Sequence, residues 1–432
     1  MVEEKRFISG DDAVAFGARL ARPHVISAYP ITPQTVVVER LSEMVEDGSL
    51  KADFMHVESE HSAISAAMGV SVAGARVFTA TSSQGLLYMA EGLFYSAGGR
   101  FPIVMMNANR SLALPWSIYG DQSDSLSQLN SGWIQVYVED AQEVLDMIIQ
   151  AYRIAEDPSV LTPFMVNLDG FLLTHTYEPV SIPDQAGVDA FLPPFSTHNK
   201  ISFEKPLNMG FSTTPQDNLE YKYQQHQAML DSVEVIQKVD SEFAERFGRG
   251  YGGLVEEYFC NDAEVILVTL GSVTGTTRVV VDRMRDTGRR VGLLKIRYMR
   301  PFPVNEVNRV CKTVKRVGII DRDISFGYEG TVFTNVNSAL SRLGNPPETV
   351  NFVCGLGGRD IPKEDLEGMF LQRLDSYVGR TSVSGKSHSM KIFYAQCFSS
   401  RSNTGQQRGC AGKHGNHGIG GEGHLRIYES NR

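Results

Sequence analysis

Cysteine is scarce in this sequence and poorly spaced for most of its uses. Among 432 residues there are five, Cys260, Cys311, Cys354, Cys397 and Cys410, and no two form a C-x-x-C pair. That spacing supports neither a disulfide framework nor a zinc or iron–sulfur site, so no metal or redox centre is expected on this chain. Basic clusters are missing as well. A formal net charge of −9 with no basic domain argues against a nucleic-acid or anionic-membrane surface. Long apolar runs are also absent: the stretch at 63–75 is too short and too rich in small residues to span a bilayer. The start, MVEEKRF, has no basic n-region or apolar h-region of a signal peptide. The expectation is a cytoplasmic protein with neither nucleic acid nor membrane as partner.

What is present fits a folded α/β protein. Hydrophobic content of 42% and charge of 21% are ordinary, and the length predicts about two to three domains. From 25 to about 169 the β-branched runs VISAY, DFMHV, VFTAT, PIVMMN, IQVYV and PFMVNL read as strands. Between them lie the helical patterns TVVVERLSEMV, HSAISAAMGVSVAG, LLYMAEGLFYSA and AQEVLDMIIQAYRIAED. Such alternation predicts a mainly parallel sheet covered by helices on both faces. Residues 173–259 break the rhythm with YEPVSIPDQ and FLPPFSTHNK, then a long polar helix over about 219–245, which reads as an ordered connecting arm. A second α/β unit spans 260–378, with strands EVILVTL, VGLLKIR and RVGIIDR. The Gly-, Ser- and His-rich tail at 379–432 has too little apolar surface to offset chain entropy and reads as disordered.

Several stretches invite a chemical reading. GSVTGTT follows a strand and opens a helix, so its amides could receive a phosphate. It is not G-x-G-x-x-G, however, and no acidic residue follows the next strand where a ribose would need one; a plain strand-to-helix turn is favoured. Cys410, His414, His417 and His424 are metal ligands by type but lie in the tail without a scaffold, where a solvated tail is favoured. HVESEHSA, at 56–63, resembles a scrambled zinc-protease helix, yet His56 and His61 are five apart and fall on different helix faces. His56 then ends a strand, His61 opens a helix, and Glu60 lies near the helix start as either an ordinary N-terminal charge or a placed catalytic group.

Two further loops bear on that choice, because both follow predicted strands of the same domain. SAYPITPQT holds Thr32 between two stiffening prolines, and NRSLALPWSIYGDQSDS opens with Arg110, able to grip a carboxylate bidentately. Ligands of open parallel sheets bind at strand C-terminal ends. Together the three loops look like a site for a small carboxylate.

YPITPQT, ESEHSAISAAMG with TATSSQGLLYM, the NR…SIYGDQSD loop, GWIQVYVED, LDGFLLTH, FGRGYGGLVEEY and IDRDISFGYEG together resemble the α subunit of pyruvate:ferredoxin oxidoreductase. The wider family is the thiamine-diphosphate-dependent 2-oxoacid:acceptor oxidoreductases, and the resemblance runs over about 7–377. It implies a pyrimidine-binding-type domain of a thiamine diphosphate enzyme at 1–172 and a transketolase C-terminal-like domain at 260–378. Carried over by motif, Glu60 resembles the glutamate that hydrogen-bonds N1′ of the aminopyrimidine, favouring the imino tautomer whose 4′-nitrogen can take the C2 proton. On the same resemblance Tyr29 and Pro30, in the YPITP loop, are expected to bind the cofactor as well. Thr32 resembles the residue that contacts the oxoacid, and Arg110 the arginine that binds its carboxylate. Glu58 has no such role by resemblance.

The sequence has no G-D-G…N segment for a diphosphate and Mg²⁺ and no cysteine clusters for [4Fe–4S] centres. The resemblance gives those to partner subunits of β, γ and δ type, with thiamine diphosphate shared across an interface. The implied reaction decarboxylates a 2-oxoacid oxidatively to an acyl-CoA, with electrons leaving through partner iron–sulfur clusters to ferredoxin or NAD. LPWSIYGDQSD departs from the more usual pyruvate-type pattern, in which His stands where Gln122 is, and adds Trp116. Pyruvate and an aryl oxoacid such as phenylglyoxylate both stay open on that ground. A standalone NAD-binding oxidoreductase using GSVTGTT and a non-catalytic assembly subunit are the alternatives.

Overall fold

The computed structural model describes residues 3–371 apart from 205 and 207, together with 392–394. In chain order the strands of the first half are β1 (Glu3–Ser9), β2 (Val25–Ala28), β3 (Asp53–His56), β4 (Val77–Ser82), β5 (Val104–Asn109), β6 (Ile134–Tyr137), β7 (Phe164–Asp169) and β8 (Tyr177–Pro183). The second half adds β9 (Val255–Tyr258), β10 (Val265–Leu270), β11 (Val291–Ile296), β12 (Tyr298–Arg300), β13 (Arg316–Asp321), β14 (Glu348–Val353) and β15 (Ile392–Tyr394).

One sheet of seven strands has the order β12-β6-β7-β5-β4-β2-β3, parallel except where β12 joins β6. Its middle strands are buried along their whole length, as expected where helices cover both faces. From β2 the chain steps to β3 on one side and then to β4 on the other. That reversal opens a crevice beyond the C-terminal ends of β2 and β4, the usual ligand position in an open α/β sheet.

The second sheet runs β15-β14-β13-β10-β11-β9, parallel except for β9. Both α/β units expected from the sequence are therefore present. Three features were not legible. Helix Gly10–Ala21 begins with a capping box between Ser9 and Asp12. β1 pairs antiparallel with β8 across most of the first half. Three residues of β12 leave the second half to extend the first sheet. The tail at 379–432 lies outside the described residues except for β15, which pairs in parallel with β14; its Ile-Phe-Tyr triplet is the tail's concentration of β-formers. The tail's cysteines and histidines lie outside the described residues.

Helix Pro215–Phe247 is the long helix expected in the arm, and Ile236, Val239, Phe243 and Phe247 from its last turns enter the first core. Buried charge ties the halves together. Lys295 Nζ lies 2.7 Å from Glu143 Oε2 and 2.8 Å from Glu139 Oε2, while Arg297 Nε donates to Glu143 Oε1 at 2.8 Å. Burial alone would raise the Glu143 carboxyl, but Lys295 and Arg297 beside it hold it down to about 2. No described helix is long and apolar enough to cross a membrane.

Candidate active site

Three loops meet at the crevice. After β2, buried Gln34 pins the YPITP turn by donating to the carbonyls of Tyr29 at 2.7 Å and Ala80 at 3.3 Å. Within that turn Pro30 and Thr32 are exposed and Tyr29 is half-buried. After β3, Ser59 caps helix Glu60–Val72 by accepting from Ser62 N at 3.2 Å, which makes Glu60 the first residue of the helix. A carboxylate there is favoured by the helix amides.

Glu60 is 8% exposed, and no described residue donates a hydrogen bond to its carboxylate. After β4, helix Gln84–Tyr88 comes so near that a Cβ built on Gly85 would stand 2.6 Å from both Glu60 Oε1 and Thr81 Oγ1. Gly92 meets Ile64 in the same way, at 2.5 Å from Cγ2. Two glycines seven apart thus face two residues four apart, which is why SSQGLLYMAEG needs glycine at 85 and 92.

Arg110 follows β5 and is 4% exposed. Its Nη1 donates to the Thr32 carbonyl at 2.6 Å and its Nη2 to Gln84 Oε1 at 3.1 Å, while buried Nε has no partner among the described residues. Burial lowers the guanidinium's pKa, and attraction to Asp124 and Glu60 acts the other way, so both carboxylates lie within electrostatic reach. Trp116 is 68% exposed with its ring centroid 5.9 Å from the Arg110 guanidinium carbon.

Residues 16–241 match the family described as pyruvate flavodoxin/ferredoxin oxidoreductase, thiamine diphosphate-binding, and residues 263–366 match pyruvate:ferredoxin oxidoreductase core domain II. Pyruvate synthase subunit PorA of Methanothermobacter thermautotrophicus is 49% identical over 84% of this chain and 93% of its own. The chain belongs to the 2-oxoacid:ferredoxin oxidoreductases, as an α subunit. Ketoisovalerate oxidoreductase subunit VorA of Pyrococcus horikoshii is 43% identical over 84% of this chain and 92% of its own. A solved 2-oxoglutarate:ferredoxin oxidoreductase from Magnetococcus marinus, with 2-oxoglutarate, coenzyme A and succinyl-CoA bound, shares the fold. Its TM-score is 0.66 at 20% identity, over 85% of this chain and 64% of that one.

In this oxidoreductase subunit the structure brings Glu60, Arg110 and Thr32 to one crevice, with Thr32 meeting Arg110 through its carbonyl. Tyr29 and Pro30 share the Thr32 turn, but neither is bonded to Glu60 or Arg110. The other polar residues of HVESEHSA have local partners. Glu58 Oε1 accepts from Ser62 Oγ at 2.5 Å, His56 packs on Phe54, and His61 Nε2 lies 3.6 Å from Glu91 Oε2.

Fit to thiamine diphosphate rests on this arrangement: a nearly buried carboxylate to which no described residue donates, held in direction by its close approach to Gly85. Among the described residues no group of three or more His, Cys, Asp or Glu could hold a metal ion. Burial pushes the Cys260 thiol up to about 11 and the Cys311 and Cys354 thiols up to about 12, far from thiolate at neutral pH.

Two readings of single residues change. Gln122 does not face Arg110; its Nε2 donates to Asp169 Oδ1 at 3.5 Å and to the Leu270 carbonyl at 3.3 Å, so its identity bears on the joint between the halves. At GSVTG, Asp169 Oδ2 already accepts from Ser272 N at 2.9 Å and from Ser272 Oγ, and pairs with Arg322 Nη1 at 2.7 Å. A protein carboxylate takes the position that a phosphate would need, which removes the ground for a dinucleotide there.

Sequence reasoning also passed over Asp124, the last residue of SIYGDQSD. It is wholly buried and accepts from Ser83 N at 3.0 Å, Arg110 N at 3.1 Å, Asn107 Nδ2 at 3.3 Å, Asn109 Nδ2 at 2.8 Å and Ser125 N at 2.7 Å. Burial pushes its carboxyl up to about 6 against those hydrogen bonds. A signal existed: Thr81, Asn107 and Asn167 stand side by side on β4, β5 and β7, a polar row across otherwise apolar strands.

Proposed function

We propose that this subunit provides the aminopyrimidine half of a thiamine diphosphate site and the carboxylate clamp for a 2-oxoacid. A partner subunit supplies the diphosphate and Mg²⁺ half. The observation that carries this reading is Glu60, a nearly buried carboxylate to which no described residue donates, packed directly against Gly85 and within electrostatic reach of Arg110.

Thiamine diphosphate, when bound, supplies a carbon nucleophile for the oxo carbon and a sink for the electron pair left as CO₂ departs. The chain's own residues serve that chemistry in distinct ways. Glu60 holds a proton at the pyrimidine ring nitrogen, in a dry setting that strengthens the hydrogen bond. Arg110, fixed by the Thr32 carbonyl and Gln84, offers its unpartnered Nε and remaining N–H donors to the oxoacid carboxylate. Burial makes that charge pair strong but costly to leave unpaired, so the clamp favours an anionic substrate. The assembled enzyme would form an acyl-CoA, with electrons passing through [4Fe–4S] clusters of γ- and δ-type partners to ferredoxin.

Pyruvate is the substrate this reading favours, since the pyruvate synthase subunit is the more similar of the two relatives above. A second reading, an aryl oxoacid such as phenylglyoxylate, draws on one observation: the exposed Trp116 ring over Arg110 offers a face on which an aromatic substrate could stack.

Purification of the native complex followed by CoA-dependent reduction of a low-potential viologen tests both readings. Highest kcat/KM with pyruvate supports the first and highest with phenylglyoxylate the second. Failure of every 2-oxoacid to reduce the dye, with thiamine diphosphate present, would sink the proposal.

A further inference from the structure

Two loops must keep one spacing if Arg110 is to aim at a substrate carboxylate: the turn after β4, at Ser83 and Gln84, and the turn after β5, at Arg110. Their side chains are joined through Gln84 Oε1, which accepts from Arg110 Nη2 at 3.1 Å and from Ser83 Oγ at 2.6 Å. Their backbones are joined through Asp124, whose Oδ2 accepts from Ser83 N at 3.0 Å and Arg110 N at 3.1 Å. Ser83 has φ +52°, a backbone state that a residue with a Cβ adopts only when its surroundings hold it there.

Asp124 comes from a third element, the short helix Ser123–Leu126, and touches neither Glu60 nor the Arg110 guanidinium through a hydrogen bond. All five groups around its carboxylate are donors, three on Oδ2 and two on Oδ1. Only a carboxylate accepts all five. An amide of the same shape, turned either way, would point its own N–H₂ at two or more donors. Burying a carboxylate is costly, and packing of the sheet could have been met by an apolar residue. What the charge secures is the relative position of two loop amides that carry the clamp.

We infer that Asp124 is a positioning residue for oxoacid binding: by holding the Ser83 and Arg110 amides on one carboxylate oxygen, it sets the aim of the Arg110 guanidinium. The inference rests on the reading of Arg110 as the clamp for the oxoacid carboxylate.

A double-mutant cycle in the assembled complex tests it. Asp124→Asn should raise the oxoacid KM about tenfold, the cost of a misaimed charged hydrogen bond, with kcat and thiamine diphosphate affinity within about threefold of wild type. Arg110→Ala should raise the same KM, and adding Asp124→Asn to it should change KM by less than about twofold, since the aim of a missing side chain cannot matter. A full further rise in KM on the Arg110→Ala background would show that Asp124 acts elsewhere, and would overturn the inference, as would an unchanged KM in Asp124→Asn alone. If the Asp124→Asn complex does not assemble, Asn109→Ala replaces it, removing one donor from Oδ1. A KM rise of about threefold that vanishes on the Arg110→Ala background supports the inference, and additivity overturns it. An unchanged KM in Arg110→Ala alone is a different failure, that of the clamp reading itself.

Discussion

Gly85 and Glu60 share a space that only one of them can fill: a Cβ on Gly85 would lie 2.6 Å from Glu60 Oε1 and 2.9 Å from its Cγ. The carboxylate's direction is therefore set by the lack of a side chain on a neighbouring helix.

Gly85→Ala should turn the carboxylate aside and lower kcat about tenfold or more, along with an overpacking cost of about 1–3 kcal/mol. Gly92→Ala is the control, because its Cβ would meet Ile64 Cγ2 at 2.5 Å and not Glu60. Both variants should melt lower than wild type, and only Gly85→Ala should lose kcat. Equal kcat losses in the two would mean that helix packing, and not the carboxylate, is responsible.

Arg110→Ala should raise the oxoacid KM roughly 10- to 100-fold, the equivalent of about 1.5–3 kcal/mol for hydrogen bonds to a charged group. Thiamine diphosphate affinity should stay within about threefold, because Arg110 is assigned to the substrate alone. Trp116→Leu separates the two substrate readings: a loss confined to phenylglyoxylate supports stacking, and no loss with any oxoacid assigns Trp116 to packing.

Glu143→Gln removes the carboxylate that Lys295 and Arg297 share in the buried joint. Stability should fall by about 3–5 kcal/mol, since two cations lose a buried partner. The pH dependence has a definite sign. Glu143 sits at about 2 in the folded chain, below the roughly 4.3 of an unfolded glutamate, a difference worth about 3 kcal/mol. That contribution is complete above about pH 4.3 and is lost as pH falls toward the folded value. Denaturant midpoints measured from pH 6 down to 3 should drop more steeply for wild type than for Glu143→Gln, and parallel curves would count against the buried pairing.

How far the sequence announced all this depends on the range over which each feature is decided. The buried parallel strands and the long helix Pro215–Phe247 are written locally, in β-branched runs and helical periodicity. That the loops of Glu60, Thr32 and Arg110 meet at one sheet edge was legible from the strands they follow. Features fixed by distant partners were not. β1 finds β8 some 170 residues on, β12 is three residues long, and Gln122 reads as a loop residue until the second half supplies the Leu270 carbonyl. Asp124 sat in full view within SIYGDQSD, but its role depends on five donors, from β5, the turns after β4 and β5, and its own short helix, meeting at one carboxylate.

The central claim is that Glu60 holds the proton at the cofactor's pyrimidine ring, and hydrogen exchange at C2 of bound thiamine diphosphate in the assembled complex measures it directly. Glu60→Gln keeps the size of the side chain and removes its charge, so exchange should slow by about 100-fold or more, the scale of a lost acid–base contribution. Exchange at the wild-type rate in Glu60→Gln would contradict the account.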